Sequence, residues 1–304
     1  MRLLVLINPD ASRAEETLPQ LKERFAEEPE ATLMEVGSAE AMSDALKEHG
    51  RGAERIVIGG GDGTISSALP VLLQLQKPLG VLPLGTANDF ARTLSLPEAP
   101  HRAAEIALGP RTHRIDVGMV NGHPFLNVAS VGVATRVSEL QSKDLKRSLR
   151  ILSYAVSFRE AIREAKPFHV SIEVDDRTYW KGMVHQVSVG NGRFHGGGLV
   201  VAEEAAIDDG KLNIYVVRPG TFMELVACVA SLRFGLDGEL ETLKRQAARA
   251  VRLKTSRPKP INVDGDIRSQ TPAEFSVARA ALEVVIPETL PAYQRGLVDL
   301  DDSR

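Results

Sequence analysis

Cysteine is all but missing from this chain of 304 residues: Cys228 stands alone. No intrachain disulfide framework can form, and its place in the apolar stretch Leu225-Val226-Ala227-Cys228-Val229-Ala230 marks it as a small core residue. Aromatic residues make up only 5% and are not interleaved with the basic ones, which argues against a nucleic-acid stacking surface. No apolar run reaches membrane-spanning length and no signal peptide precedes the first strand, so a cytoplasmic protein is expected. Repeats and low-complexity tracts are absent as well. The apolar 43% and charged 25% are those of an ordinary globular protein, and the length admits two cores. Net charge is −3 but unevenly spread: residues 1–50 are rich in acids, whereas Lys244, Arg245, Arg249, Arg252, Lys254, Arg257 and Lys259 fall in a stretch without any. That stretch is either a solvated face or a surface drawn to an anionic membrane.

The first third alternates strand and helix. Strands are predicted at Arg2–Ile7, Ala31–Val36, Glu54–Ile58 and Pro78–Leu84, and helices at Ala14–Ala26, Ala39–His49, Ile65–Leu75, Ala87–Thr93 and Ala99–Leu108. Strands separated by helices imply a parallel sheet, whose ligands bind where the strands' C-terminal ends meet the following loops. Asn8 to Ser12 and two glycine-containing loops lie at such ends and are expected to converge on one crevice. Near residue 115 the pattern changes. Thr112–Val120 and Pro124–Val131 flank Asn121-Gly122, and His169–Val174 and Thr178–Gly190 flank Asp175-Asp176, as hairpins do. Further strands at Lys211–Val217, Ala250–Thr255, Ala273–Val277 and Leu282–Ile286 complete an antiparallel β domain interrupted by helices. Within Lys143–Lys166, Leu145, Leu149, Leu152 and Val156 share a helical face ringed by Lys143, Lys146, Arg147 and Arg150. It reads as a packing helix with a wet side, or as a docking helix on anionic lipid.

The chain's centre of gravity is the run Ile56-Val57-Ile58-Gly59-Gly60-Gly61-Asp62-Gly63-Thr64-Ile65-Ser66: a buried strand, a glycine turn and a helix start. Glycine lets backbone approach a bound group closely, and a helix N-terminus offers it free N–H groups, so a phosphate is the expected guest. A tight turn without any ligand is the plainer reading, but four glycines around Asp62 exceed what a turn needs. Asp62 would repel a bare phosphate, which points to a bridging Mg²⁺ or a ligand hydroxyl. The loop lacks the Lys-Ser/Thr pair of a P-loop and does not fit the dinucleotide fingerprint. A second strand-turn-helix follows at Leu79-Gly80-Val81-Leu82-Pro83-Leu84-Gly85-Thr86-Ala87-Asn88-Asp89-Phe90-Ala91-Arg92.

Together GGGDGT and PLGTANDFAR resemble the diacylglycerol-kinase catalytic domain, and more narrowly the YegS-like bacterial lipid kinases. Gly190-Asn191-Gly192-Arg193 with Gly196-Gly197-Gly198, Asp208-Asp209-Gly210-Lys211-Leu212, and Asn262-Val263-Asp264-Gly265-Asp266 continue the resemblance in order, over essentially the whole chain. It implies an α/β N-terminal domain with a parallel sheet, of the NAD kinase and diacylglycerol kinase type, plus a C-terminal β-sandwich-like domain. Residues 1–114 with the tail 287–304 would form the nucleotide-binding unit, and 115–286 the lipid-substrate unit. The activity implied is ATP- and Mg²⁺-dependent transfer of a phosphoryl group to a lipid hydroxyl at the membrane surface, the acceptor being diacylglycerol, phosphatidylglycerol or a sphingoid or ceramide-like lipid. A kinase of a soluble alcohol such as NAD, and a nucleotide-binding sensor without activity, are the alternatives.

Carried over residue by residue, the resemblance gives ATP binding to Gly60, Gly61, Asp62, Gly63, Thr64, Ile65, Ser66 and Thr86, with Asp62 also catalytic. Asp266 would be the general base, one methylene shorter than the family's usual Glu; a hairpin turn with Asp266 exposed is the plainer reading of Asp264-Gly265. A structural Mg²⁺ would be held by Asp209 and the carbonyls of Ala206 and Lys211, a donor set of hard oxygens. Asn88 and Asp89 either cap the helix that follows or shape the acceptor or metal site. Two departures stand out: Ser66-Ser67 replaces a common Asn-Glu, and only Ser38 can replace a nucleotide-contacting Thr. His195 has no Cys or Asp at ligand spacing and reads as structural or substrate-facing.

Overall fold

The computed structural model describes residues 1–133, 166–195, 199–200, 206–234 and 240–288. The helical pattern at Lys143–Lys166 and nearly all of the tail 287–304 therefore lie outside the described residues, as do Gly196, Gly197 and Gly198.

The N-terminal third follows its hydrophobic periodicity. Strands β1 (Leu3–Ile7), β2 (Ala31–Glu35), β3 (Arg55–Gly60) and β4 (Leu79–Pro83) pair in parallel in the order β2-β1-β3-β4. The inner strands β1, β3 and β4 are buried on both faces, as strands covered by helices must be. Leu4, Leu6, Ile56 and Ile58 point to one side, into a core with α2 (Ala39–His49) and α3 (Asp62–Leu75). Leu3, Val5, Ile7 and Val57 point to the other, against α1 (Ala14–Ala26) and α5 (Pro100–Leu108). The short α4 (Asp89–Thr93) is pinned by the fully buried Phe90.

The second half builds two facing sheets. The parallel sheet continues without a break through β18 (Ala273–Val285), β15 (Ala250–Thr255), β8 (Phe168–Val174) and β9 (Arg177–Val184), with β5 (Thr112–Val120) and β6 (His123–Phe125) paired alongside. The other sheet has the order β14-β13-β10-β7-β16-β17, from β14 (Leu243–Ala248), β13 (Leu212–Val217), β10 (Gln186–Gly190), β7 (Val128–Gly132), β16 (Pro260–Val263) and β17 (Asp266–Gln270). Val131, Val187, Val189, Ile214 and Val216 of the second sheet meet Val170, Ile172, Val251, Leu253 and Phe275 of the first in one apolar cluster. A two-residue pair, β11 (Phe194–His195) with β12 (Leu199–Val200), and helix α6 (Phe222–Phe234) complete the described residues. The chain thus joins an α/β N-terminal region to a C-terminal β-sheet region.

Several boundaries differ from the sequence reading. Ala273–Val277 and Leu282–Ile286 are one strand, β18, interrupted by a bulge between Ala278 and Leu282. The Asp116 carboxylate accepts the Ala280 N–H at 2.7 Å there, a long-range contact that periodicity cannot reveal. Thr178–Gly190 divides at His185 into β9 and β10 because the chain changes sheets. Pro124–Val131 divides likewise at Leu126-Asn127 into β6 and β7. Helix α3 begins at Asp62, three residues before its first apolar position.

Candidate active site

The loops predicted to converge do so. Asn8 Nδ2 donates to Thr64 Oγ1 at 3.2 Å, Ser12 Oγ donates to the Leu84 carbonyl at 3.3 Å, and Thr86 Oγ1 donates to Ser12 Oγ at 3.2 Å. The loop glycines are needed for contact between backbones. A Cβ on Gly85 would lie 2.4 Å from the Gly61 Cα, and one on Gly61 would lie 3.1 Å from the Gly85 Cα. Any side chain at either position would push the two loops apart. Gly61 is the N-cap of α3 and offers no side chain to its first-turn N–H groups, the arrangement that receives an anion. Gly63 opens onto free space, with nothing within 4 Å of a Cβ there. Ile65 and Ser66 turn inward, 2% and 1% exposed, and the Ile65 N–H already donates to the Gly61 carbonyl at 3.2 Å, so the free first-turn N–H groups are those before it.

Asp62 has a role that its sequence context did not reveal. Its carboxylate accepts the backbone N–H groups of Asp89 at 3.1 Å and Phe90 at 2.9 Å. The first glycine loop therefore caps the helix of the second, across 27 residues of sequence. Asn88, read with Asp89 as either a cap or a site-shaping residue, makes no side-chain cap. It sits in the left-handed region at φ 51° and folds back on Gly85, accepting its N–H at 3.0 Å and donating to its carbonyl at 2.9 Å. Asp89 is 3% exposed, with Arg92 at 3.7 Å.

The hairpin β16–β17 brings a second pair of acids to the same place. Asp264 accepts three consecutive backbone N–H groups, from Leu126 at 2.7 Å, Asn127 at 2.9 Å and Val128 at 2.9 Å. Burial pushes its carboxyl up, against the pull of those donors, and nearby Asp62 adds to the rise. Asn127 links the two acids, its Nδ2 donating to Asp62 Oδ1 at 3.4 Å. Asp264 also takes the left-handed φ of 48° that opens the turn, and Gly265 follows at 106°. Asp266 begins β17 with its side chain 64% exposed and ion-paired to Arg268 at 2.9 Å. Arg268 in turn reaches the Ser66 carbonyl on α3 at 3.5 Å. The hairpin reading of this motif and its place beside the glycine loop therefore hold together. Sequence reasoning missed Asn127 and Arg268: Arg268 lies two residues from Asp266, which is a signal, whereas Asn127 is 65 residues from Asp62 and 137 from Asp264 and has none.

The loop before β13 collects carboxylates. Asp209 accepts the Lys211 N–H at 2.9 Å, Asp208 meets His113 Nε2 at 2.7 Å, and Asp116 accepts the Gly210 N–H at 2.6 Å. Burial raises the Asp209 carboxyl, with Asp116 and Asp208 adding repulsion and Lys211 opposing. One Asp208 oxygen is buried with no partner. Among the described residues no three His, Cys, Asp or Glu side chains converge to hold a metal ion, so a cation here needs backbone carbonyls or water. Carboxylate and carbonyl oxygens at Ala206, Asp209 and Lys211 suit Mg²⁺, which keeps several waters. Gly192 packs on Thr93 of α4, and Asn191 donates to the Asp116 and Leu126 carbonyls, so the Gly190–Arg193 turn leans on the crevice.

Two glycine loops locked by one acid, with an acidic hairpin set against them, match the family description "Diacylglycerol kinase catalytic domain" over residues 2–120. Residues 127–286 match the "YegS C-terminal NAD kinase beta sandwich-like domain". The chain belongs to the YegS-like lipid kinase family. It is 33% identical over 243 residues to a "Probable lipid kinase YegS-like" of Pseudomonas aeruginosa (strain UCBPP-PA14), covering 79% of each chain. It is 35% identical over 262 residues to the protein so named in Pseudomonas syringae pv. syringae (strain B728a), covering 84% of this chain and 83% of the relative. Its fold is that of a diacylglycerol kinase structure from Bacillus anthracis str. Sterne (TM-score 0.76, 22% identity, 94% and 97% of the two chains). It also resembles an NAD kinase from Archaeoglobus fulgidus solved in complex with ATP (TM-score 0.53, 16% identity, 100% of both chains).

Proposed function

We propose that this family member is an ATP- and Mg²⁺-dependent kinase that transfers the γ-phosphoryl group of ATP to a lipid hydroxyl at the inner face of the membrane. Residues 1–114 would bind the nucleotide and 115–286 the lipid. The observation that carries the reading is the joint between the two: Asp62 caps the second loop's helix while Asn127 ties it to the hairpin that presents Asp266.

Phosphoryl transfer asks a protein for positioning and charge stabilisation more than for covalent chemistry. The N–H groups at the start of α3 hold phosphate oxygens, and Gly63 leaves room for the backbone to approach them. Thr64 and Thr86, tied to Asn8 and Ser12, are placed to add hydroxyl contacts. Asp266 takes the proton of the acceptor hydroxyl as its oxygen attacks the γ-phosphorus of ATP, and the bond from that phosphorus to the β,γ-bridging oxygen breaks to release ADP. Arg268 holds that carboxylate by an ion pair and is itself braced on the Ser66 carbonyl, which fixes the shorter side chain. Asp209, with the carbonyls of Ala206 and Lys211, would hold a structural Mg²⁺ beside the loop before β13, and Mg²⁺ arriving with the nucleotide would supply charge neutralisation at the phosphates.

The test is transfer of labelled γ-phosphate, with Mg²⁺, to mixed micelles carrying diacylglycerol, phosphatidylglycerol, ceramide or sphingosine, with NAD as a soluble control. Label on one lipid supports the reading and names the acceptor. Label on NAD alone makes the protein a soluble-alcohol kinase, and nucleotide binding without any transfer makes it a sensor.

A further inference from the structure

The two facing sheets leave an open seam where β9, an edge strand of one, meets β14, an edge strand of the other. Strand pairing fixes which side chains enter it. Val216 and Ile214 of β13 lie in the inter-sheet core, and their partners on β14 are Lys244 and Gln246, so both of these face between the sheets. Across the seam Trp180 pairs with Ile172, another core residue, and its ring packs on the same apolar cluster. Lys244 and Gln246 are exposed, so the seam is open to solvent along β14.

The indole lies along its own strand. A Cβ on Gly182 would meet Trp180 Cζ2 at 3.4 Å and Nε1 at 3.6 Å, so the ring covers that glycine and its N–H is buried without a partner. Two cations share the ring: Lys244 Nζ lies 5.4 Å from it and Arg218 Cζ 4.9 Å. They are therefore no further apart than about one Debye length, and they repel. Among the described residues neither has a carboxylate partner. Arg218 donates Nη1 to the Glu241 carbonyl at 2.9 Å, and Lys244 has no acceptor. Arg252, from the same basic run, shows the ordinary solution, with Glu173, Asp176 and Glu274 around it.

An inward lysine on an edge strand discourages the addition of a further strand. One cation is enough for that. Arg218 follows β13, an inner strand, so guarding the edge leaves the second charge unexplained. An ammonium as a point charge and a guanidinium as a fork, both lacking an anion over one aromatic floor, are the donor set for a phosphate. We infer that the β9–β14 seam is a phosphate-binding site formed by Lys244 and Arg218 over Trp180. It lies at the opposite edge of the second sheet from the Asp266 hairpin and stands apart from the kinase reading. The phosphate group is either free in solution or carried by an anionic lipid.

Trp180 is the only tryptophan in the chain, so its emission reports on this seam. The experiment titrates the full chain with sodium phosphate and with dihexanoyl-phosphatidylglycerol held below its micelle concentration, against sodium chloride at matched ionic strength. Wild type, Lys244→Gln and Arg218→Gln are compared. Lys244 is exposed on an edge strand, so Lys244→Gln should melt with the wild type in chloride. Wild-type emission should change saturably, with half-saturation about tenfold higher in each variant, as loss of one charge-assisted contact gives. A response to phosphate supports the site and shows that the free group suffices; a response to the lipid alone supports it and assigns the phosphate to a headgroup. No response beyond that of chloride, or one of equal strength in both variants, overturns the inference and leaves the cations as guards of an edge. Phosphate held only by the glycine loops would give one of those last two results.

Discussion

The β16–β17 hairpin sets two aspartates two residues apart in opposite environments. Asp264 is enclosed and satisfied by three backbone N–H groups, whereas Asp266 stands 64% exposed with one guanidinium for company. The first shapes backbone and the second is free to meet a substrate. The glycine loop repeats the division: Asp62 is spent on the α4 N-terminus, and the open position beside it is Gly63. Acids in a glycine motif are thus sorted by what their oxygens already hold.

The sharpest way to break this comparison is to exchange the charges one at a time. Asp266→Asn should lower kcat by about two to four orders of magnitude, as loss of a general base does, with melting temperature and ATP affinity unchanged. Unchanged turnover would return Asp266 to the role of a solvated turn residue. Asp264→Ala should act in the opposite way. Three buried donors lose their acceptor, so stability should fall by about 3 kcal/mol or more, read as a shifted denaturant midpoint. Asp62→Ala should cost about 1 kcal/mol for the lost cap and should weaken ATP binding together with turnover.

The smallest effect expected is at Asp209, whose carboxyl is raised chiefly by burial. A raised carboxyl keeps its proton in the folded chain where the unfolded chain has lost it. Its stabilising share is full below the ordinary carboxylate value of about 4 and disappears as pH rises through the raised value. Melting temperature should therefore decline across that window in wild type and less so in Asp209→Asn. Mg²⁺ at neutral pH should raise the wild-type melting temperature and leave Asp209→Asn unmoved; equal melting with and without Mg²⁺ in wild type would remove the proposed site.

Much of the N-terminal region was legible because its signals are local. Leu3 to Ile7 and Ile56 to Ile58 declare buried strands by composition, and the glycine loops declare themselves by residue type. What escaped was whatever depends on contact at a distance. Nothing near Asp62 in sequence announces that it caps a helix starting at Asp89, so local sequence offers only Asn88 and Asp89 themselves as caps. Nothing in Ala273–Val277 announces that it continues through a bulge, because the anchor is Asp116. The basic run from Lys244 to Lys259 looked uniform, yet β14 and β15 carry its parts into different sheets and acids claim Arg252.

Strand β18 ties these regions together mechanically. Its first half places Ala273 and Phe275 in the core between the two sheets, and its second half places Leu282 and Val284 in the core beneath α2 and α3. Val284 also runs parallel beside Leu79 of β4. One strand thus serves two cores, joining the sheet that carries the glycine loops to the apolar cluster on which Ile261 and Val263 of the Asp266 hairpin are seated.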